Sequence, residues 1–264
     1  MRLRFPKPAT IRDWLLYLLT IAGAILLVLR GGERLGYAWH WRQIPRYFGT
    51  MTDAGFIAGP LLKGLGVTLE ITGYSLVLAT IIGLVTALLR LSGSVVGRWL
   101  ARIYLEAIRN TPLLVQIFFL YFVMAPIFDI GRTFTAVLAL SLFEGAYASE
   151  IFRAGITSID KGQWEACYSL GLSRMQSYRT VILPQALRRV LPPLTSQAVS
   201  LIKDSALVST IAVYDLTMEG RAIIAETFLS FEIWFVIAAI YLVLTLTLSA
   251  LASGLERHFS RIAP

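Results

Sequence analysis

Long charge-free apolar runs, separated by clusters of charge, set the pattern along the chain. A helix rising about 1.5 Å per residue needs roughly 20 apolar residues to cross roughly 30 Å of hydrocarbon. Ile71 to Leu89 gives 19 residues without a charge between Glu70 and Arg90, Asn110 to Phe128 gives another 19, and Ile233 to Leu255 gives 23 between Glu232 and Glu256. Each is read as a crossing helix. Trp14 to Leu29, 16 residues between Asp13 and Arg30, crosses if Arg30 extends its charged head to the interface. A cleaved signal peptide is the competing reading, since Arg2, Arg4, Lys7 and Arg12 make a basic start. No A-x-A precedes a plausible cut, so a retained anchor is the expectation. Thr133 to Ser149 is interrupted only by Glu144, and Val190 to Tyr214 only by Lys203 and Asp204, which adds two crossings with costly polar groups inside. The pattern therefore predicts an all-α polytopic membrane protein with six spans.

Composition agrees. Of 264 residues, 56% are hydrophobic and 15% charged, which excludes a soluble enzyme, a disulfide-stapled secreted domain and a disordered tail. Cys167 is the single cysteine, so no internal disulfide forms. Twenty-four Lys and Arg against 16 Asp and Glu give a charge of +8, which in so apolar a chain points to basic loops at a membrane surface and to lipid, not to nucleic acid. With the N-terminus inside, sixteen of the basic residues fall in cytoplasmic segments and seven in external ones, so both termini are expected in the cytoplasm. The external stretch from about 31 to 62, with Tyr37, Trp39, Trp41, Tyr47, Phe48 and Phe56, is expected to be an interfacial segment or amphipathic helix. No lysine follows a glycine, so the chain has no GxxxxGK[ST] loop with which to bind ATP.

The longest cytoplasmic stretch, about Ile151 to Arg189, carries the most specific signal. Gly162 to Ala186 reads GQWEACYSLGLSRMQSYRTVILPQA. Glu165, Ala166 and Cys167 begin a short helix, Gly171 breaks it, Ser173 with Gln176 has capping-box spacing for a second, and Leu183 with Pro184 is expected to end that one. Leu170, Leu172, Met175, Tyr178 and Val181 would give this knuckle an apolar face for a cleft on a cytoplasmic partner, while Glu165, Arg174 and Arg179 stay polar.

This loop resembles the permease subunits of ATP-binding-cassette (ABC) importers, whose cytoplasmic loop reads EAA, three residues, G, nine residues, I, one residue, LP. Glu165, Ala166, Gly171, Leu183 and Pro184 match, Cys167 stands for the second Ala, and Val181 stands for Ile. The likeness continues through Arg109-Asn110-Thr111-Pro112-Leu113-Leu114-Val115-Gln116, through Gly145-Ala146-Tyr147 to Ile156, and through Leu201-Ile202-Lys203-Asp204-Ser205, and is similar to the branch that imports polar amino acids. It implies a five-helix type I importer core over about 61–258, with the 151–189 loop as coupling segment, preceded by an added anchor and aromatic loop over 1–60. It also implies that the knuckle, with Glu165, Ala166, Cys167, Gly171, Leu172 and Arg174, docks on an ABC ATPase subunit that binds ATP and Mg, this chain holding no cofactor. The other implied partners are a second permease copy or sister permease and a periplasmic or extracellular amino-acid-binding protein, all at the bacterial inner membrane.

Polar groups at membrane depth cost roughly 2.5–3.5 kcal/mol each unless they face protein or water. Lys203 and Asp204 are read as mid-span, either lining a translocation path or forming a structural ion pair. Gln197, Ser200, Asp204 and Leu207 share one stripe at spacings of three and four, and Glu144 is the acid of the fourth span, so Glu144, Gln197, Ser200, Lys203 and Asp204 are the path candidates. Phe143, Tyr147 and Phe152 are candidate aromatic walls. Glu150 and Arg153, i and i+3, read as a structural helix pair. No metal-ligand spacing and no catalytic constellation is present, so the chain is read as a non-catalytic subunit. The rival reading is a self-sufficient secondary transporter or channel, which predicts helix breaks in corresponding halves; no such pair is visible.

Overall fold

The computed structural model describes residues 11–34, 37–53 and 55–261. Residues up to Trp41 form one compact unit and those from Arg42 a second. In the first unit α1, Ile11–Arg34, runs through Arg30-Gly31-Gly32-Glu33 without a break, and Thr20 returns its hydroxyl to the Leu16 carbonyl at 3.0 Å. Tyr37, Trp39 and Trp41 follow as a ring ladder, Trp39 and Trp41 stacked at 5.7 Å.

The second unit opens with a short turn of helix, α2 (Pro45–Phe48), and a hairpin of β1 (Gly49–Thr52) and β2 (Gly55–Ala58), paired from Gly49↔Ala58 to Thr52↔Gly55. Of the two expectations for 31 to 62, an interfacial segment or an amphipathic helix, the helix gives way to this hairpin between Gly49 and Ala58. Gly55 takes φ 115°, which a side chain disfavours, and that turn returns the chain on itself where a helix would have continued.

The bundle follows: α3 (Pro60–Leu91), α4 (Val95–Arg109), α5 (Leu113–Phe119), α6 (Ala125–Phe128), α7 (Arg132–Thr157), α8 (Lys161–Ser169), α9 (Arg174–Ser177), α10 (Leu183–Asp204), α11 (Leu216–Thr227) and α12 (Ser230–Arg261). Among the described residues, α3, α7 and α12 are each long and apolar enough to cross a membrane, and α4 with 113–128 counts as a fourth span only if the bent pair is taken as one. α3 and α7 pack through small residues. A Cβ on Gly83 would fall 2.7 Å from the Ala148 methyl, and one on Gly145 2.9 Å from Ile82, so the backbones approach as closely as glycine allows. Ser75 donates to the Val137 carbonyl at 3.3 Å, and Tyr104 of α4 to that of Leu142 at 2.6 Å, satisfying hydroxyls that lipid cannot. Around this contact Ile71, Ile117, Leu140, Leu201 and Val208 form the main core.

One expected span is trimmed and another corrected. Within Asn110 to Phe128 a single helical run covers 113–128, through α5, a π turn and α6. Asn110 caps the end of α4, Pro112 forces extended backbone ahead of α5, and the axis turns by 106° between α4 and that run. Gln116 holds the turn, its amide donating to the carbonyls of Ile108 and Thr111 and to the Thr111 hydroxyl within 3.0 Å. Val190 to Tyr214 is not one helix. α10 begins earlier, carries Arg188 and Arg189, ends at Asp204, and passes into a 3-10 stretch, Ser205–Ile211.

Proline placement explains a third correction. Pro184 does not end the second knuckle helix. A π turn at Tyr178–Ile182 joins α9 to α10, and another at Leu120–Met124 joins α5 to α6, where Pro126 follows. In both, the wider turn lies just ahead of the proline, where the extra residue relieves the clash of the ring with the carbonyl four residues back.

Candidate functional site

The cytoplasmic knuckle is built by three local devices. Asp160 caps α8, its carboxylate accepting the Gly162 amide at 2.7 Å. Gly171 at φ 71° closes α8 with the paired bonds of a Schellman turn, Leu172 N to Cys167 O and Gly171 N to Tyr168 O, both 3.0 Å. Ser173 and Gln176 then form both halves of the capping box that starts α9. The predicted helix, break and cap are thus all present. Cys167 turns inward and is buried, and Ile159, Ile182 and Ala186, with Trp164 edge-on to Tyr178 at 4.8 Å, seat the knuckle on the start of α10.

The apolar face is divided where the sequence suggested one surface. Leu170 and Met175 are 78% and 69% exposed, with Tyr168, Glu165, Ala166 and Arg174 also open. Leu172, Tyr178 and Val181 are half-buried, because the Schellman turn folds their side back onto the bundle. Tyr168 joins the outward face, a residue not singled out from sequence.

The path candidates lie where α7 meets α10. Glu144 is 3% exposed; one carboxylate oxygen accepts from the Gln197 amide at 2.8 Å, and the other is buried without a partner among the described residues. Gln197, Ser200 and Asp204 are half-buried on α10, and Asp204 is near enough to Glu144 for their charges to interact. Lys203 points away and is exposed. Neither Lys203 nor Asp204 is mid-span: both close α10 at its switch to 3-10 winding, one residue apart and hence about 100° apart in direction. The structure thus brings Glu144, Gln197 and Asp204 together and leaves Lys203 outside. Of the three aromatic candidates, Phe143 and Tyr147 come together with ring centroids 5.1 Å apart, the Tyr147 ring also lying 5.8 Å from the Arg109 guanidinium, whereas Phe152 packs in a separate core with Ala87, Ala148 and Val190.

Glu150 and Arg153 pair as predicted, at 3.0 Å, but Arg90 also bonds the same carboxylate and Arg109 reaches it at 3.2 Å. Those two partners are 60 and 41 residues away in sequence, so no local spacing reveals them. Outside the spans, Asp215 caps α11 through the Met218 amide at 2.9 Å, and its neighbour Leu216 donates to the Thr68 hydroxyl of α3 at 3.1 Å. Burial pushes the Asp215 carboxyl up to about 6. Among the described residues no group of His, Cys, Asp and Glu could hold a metal ion.

Residues 79–261 match the family described as "Binding-protein-dependent transport system inner membrane component". The chain is 42% identical over 201 residues to the glutamine transport system permease protein GlnP of Escherichia coli (strain K12), covering 75% of this chain and 92% of that protein. It is 40% identical over 206 residues to the L-cystine transport system permease protein TcyB of Bacillus subtilis (strain 168), covering 76% and 88%. Among solved structures, a crystal structure of an amino acid ABC transporter with histidines superposes with a TM-score of 0.71 at 39% identity over 75% of this chain and 94% of that one. The methionine transporter MetNI in an inward-facing form shares the fold, at TM-score 0.64 and 19% identity. The chain belongs to the inner-membrane component family of binding-protein-dependent transport systems.

Proposed function

We propose, from that membership, that the chain is the permease subunit of an ATP-driven importer of polar amino acids, and that Glu165, Ala166, Gly171 and Leu172, with the exposed Leu170 and Met175, couple it to an ABC ATPase. The observation carrying this is the knuckle: a doubly capped elbow whose large apolar side chains Leu170 and Met175 face out, uncovered among the described residues. ATP and Mg belong to the ATPase. Closure of two ATPases would draw together two knuckles, one from this chain and one from a second or sister permease, and rock the bundles between inward- and outward-facing states. An external binding protein would deliver the amino acid. Both termini are placed in the cytoplasm, with 61–258 as the transport body and 1–60 as an added anchor.

In the path, the Glu144 oxygen that has no partner among the described residues, with Gln197 bonded to its sister oxygen and Ser200 and Asp204 further along α10, offers acceptors to the ammonium of a zwitterion. Lys203, exposed and turned about 100° from Asp204 at the helix end, is the weakest of the path candidates.

Two measurements test the reading. Gly171→Arg places a side chain where left-handed backbone costs about 1–2 kcal/mol, so substrate-stimulated ATPase activity of the reconstituted complex should fall roughly five- to thirtyfold while the permease still inserts. Unchanged stimulation would overturn the role of the knuckle. The lone chain in vesicles should accumulate no amino acid; uphill uptake on a sodium or proton gradient would establish the rival secondary transporter.

A further inference from the structure

A cavity of about 730 Å³ lies between the end of α3, α4 and α7 and is lined by five arginines, Arg90, Arg98, Arg102, Arg109 and Arg153. Only two acids, Glu106 and Glu150, offset them. Arg90, Arg109 and Arg153 all converge on the single carboxylate of Glu150, and the Glu106 carboxylate accepts from Asn110. Arg98 bonds only a backbone carbonyl, that of Ser92, and Arg102 makes no hydrogen bond or ion pair among the described residues. Guanidiniums in this excess repel one another, and a further anion in the cavity relieves the repulsion.

The helix that carries Arg98 and Arg102 indicates which anion. Around α4, Gly97, Ala101 and Leu105 face the bundle and are buried; Arg98, Arg102 and Arg109 follow on the next flank; Val96, Trp99, Leu100 and Ile103 fill the third and are exposed. The 106° turn after α4 lays it across the direction of the following helix. That is the arrangement of a helix lying in the membrane interface, with its apolar side in the acyl region, tryptophan at the boundary and arginines level with lipid phosphates. We infer that this cavity binds the phosphodiester headgroup of an anionic phospholipid from the cytoplasmic leaflet, Arg98 and Arg102 taking the phosphate and Trp99 lying along the acyl chains. Basic pockets between spans on the cytoplasmic side suit this chemistry. A bound headgroup would brace the corner where Leu91 separates this cavity from the apolar one under Met175 and Tyr178 of the knuckle.

The test is lipid retention by the purified permease–ATPase complex, read by native mass spectrometry after exchange from mixed phosphatidylglycerol and phosphatidylcholine nanodiscs, which does not depend on transport. Phosphatidylglycerol should be retained in preference to phosphatidylcholine, and Arg98→Gln with Arg102→Gln should reduce that preference roughly thirtyfold. Millimolar inorganic phosphate should not displace the lipid. Equal retention of the two lipids by the unmodified complex overturns the inference even if the double variant does not fold. So does a folded double variant that keeps the preference, which would place the lipid elsewhere, or displacement by phosphate, which would make the cavity a site for a soluble anion.

Discussion

Glu144 and Glu150 are six residues apart on α7, yet they have opposite surroundings. Glu144 is buried against an amide and near a second acid, with one oxygen unpartnered; Glu150 is partly open and holds three arginines. One carboxylate is under-satisfied and the other is shared. A buried acid with spare acceptor capacity costs stability unless a ligand or water uses it, whereas an acid that gathers three cations fixes the helices carrying them. The same residue type therefore keeps spare acceptor capacity at one level of the helix, where passage is proposed, and ties helices together at the next, and the neighbours decide which.

The largest effect separating the two is expected for Glu150→Gln. It leaves three guanidiniums without their anion and should lower stability by about 2 kcal/mol, below the roughly 3–5 of a fully buried pair because the side chain is 26% exposed. A melting temperature in detergent matching the unmodified protein would break the comparison. Glu144→Gln keeps the hydrogen bond from Gln197 and removes the charge. It should leave melting unchanged or raised while uptake by the assembled transporter falls about tenfold, the equivalent of one lost charge-assisted hydrogen bond. If melting drops and uptake does not, the roles of the two acids are reversed.

Asp215 extends the comparison to an acid outside the spans. Its carboxyl is raised to about 6, so its neutral form is the one the fold favours; the stability it adds is present below the ordinary carboxylate range and lost as pH rises through about 6. Melting should therefore fall between about pH 4 and about pH 6, and Asp215→Asn should flatten that part of the profile. A profile unaltered by Asp215→Asn would show that another group sets it. The smallest effect is expected for Arg109→Gln. Arg109 is 44% exposed and Glu150 keeps two other partners, so the change should be about 0.5–1 kcal/mol by chemical denaturation. A loss as large as that of Glu150→Gln would mean the arginines act as one unit.

The knuckle was legible because each of its devices is local. Gly171, the Ser173–Gln176 box and the EAA spacing all lie within a short stretch, and short-range backbone chemistry decides them. Its exposed face was only half legible, since Tyr178 and Val181 are drawn inward by packing with Ile182 and Ala186, which is a tertiary matter. The hairpin near Gly55 and the turn at Asn110 escaped because apolar content outweighed the turn residues in reading those stretches. Pro184 reads as a terminator in the sequence because a π turn that accommodates it leaves no trace in hydropathy.

By itself the sequence determined that this is a helical membrane protein with an elbow of defined shape, because span length, charge asymmetry and helix capping depend on residues near one another in the chain. Only the tertiary structure decided that Glu144 meets Gln197, that Arg90 and Arg109 join Glu150, and that α4 turns aside with its arginines facing a cavity. Those contacts join residues 41 to 60 positions apart, and their energies exist only once the helices have packed.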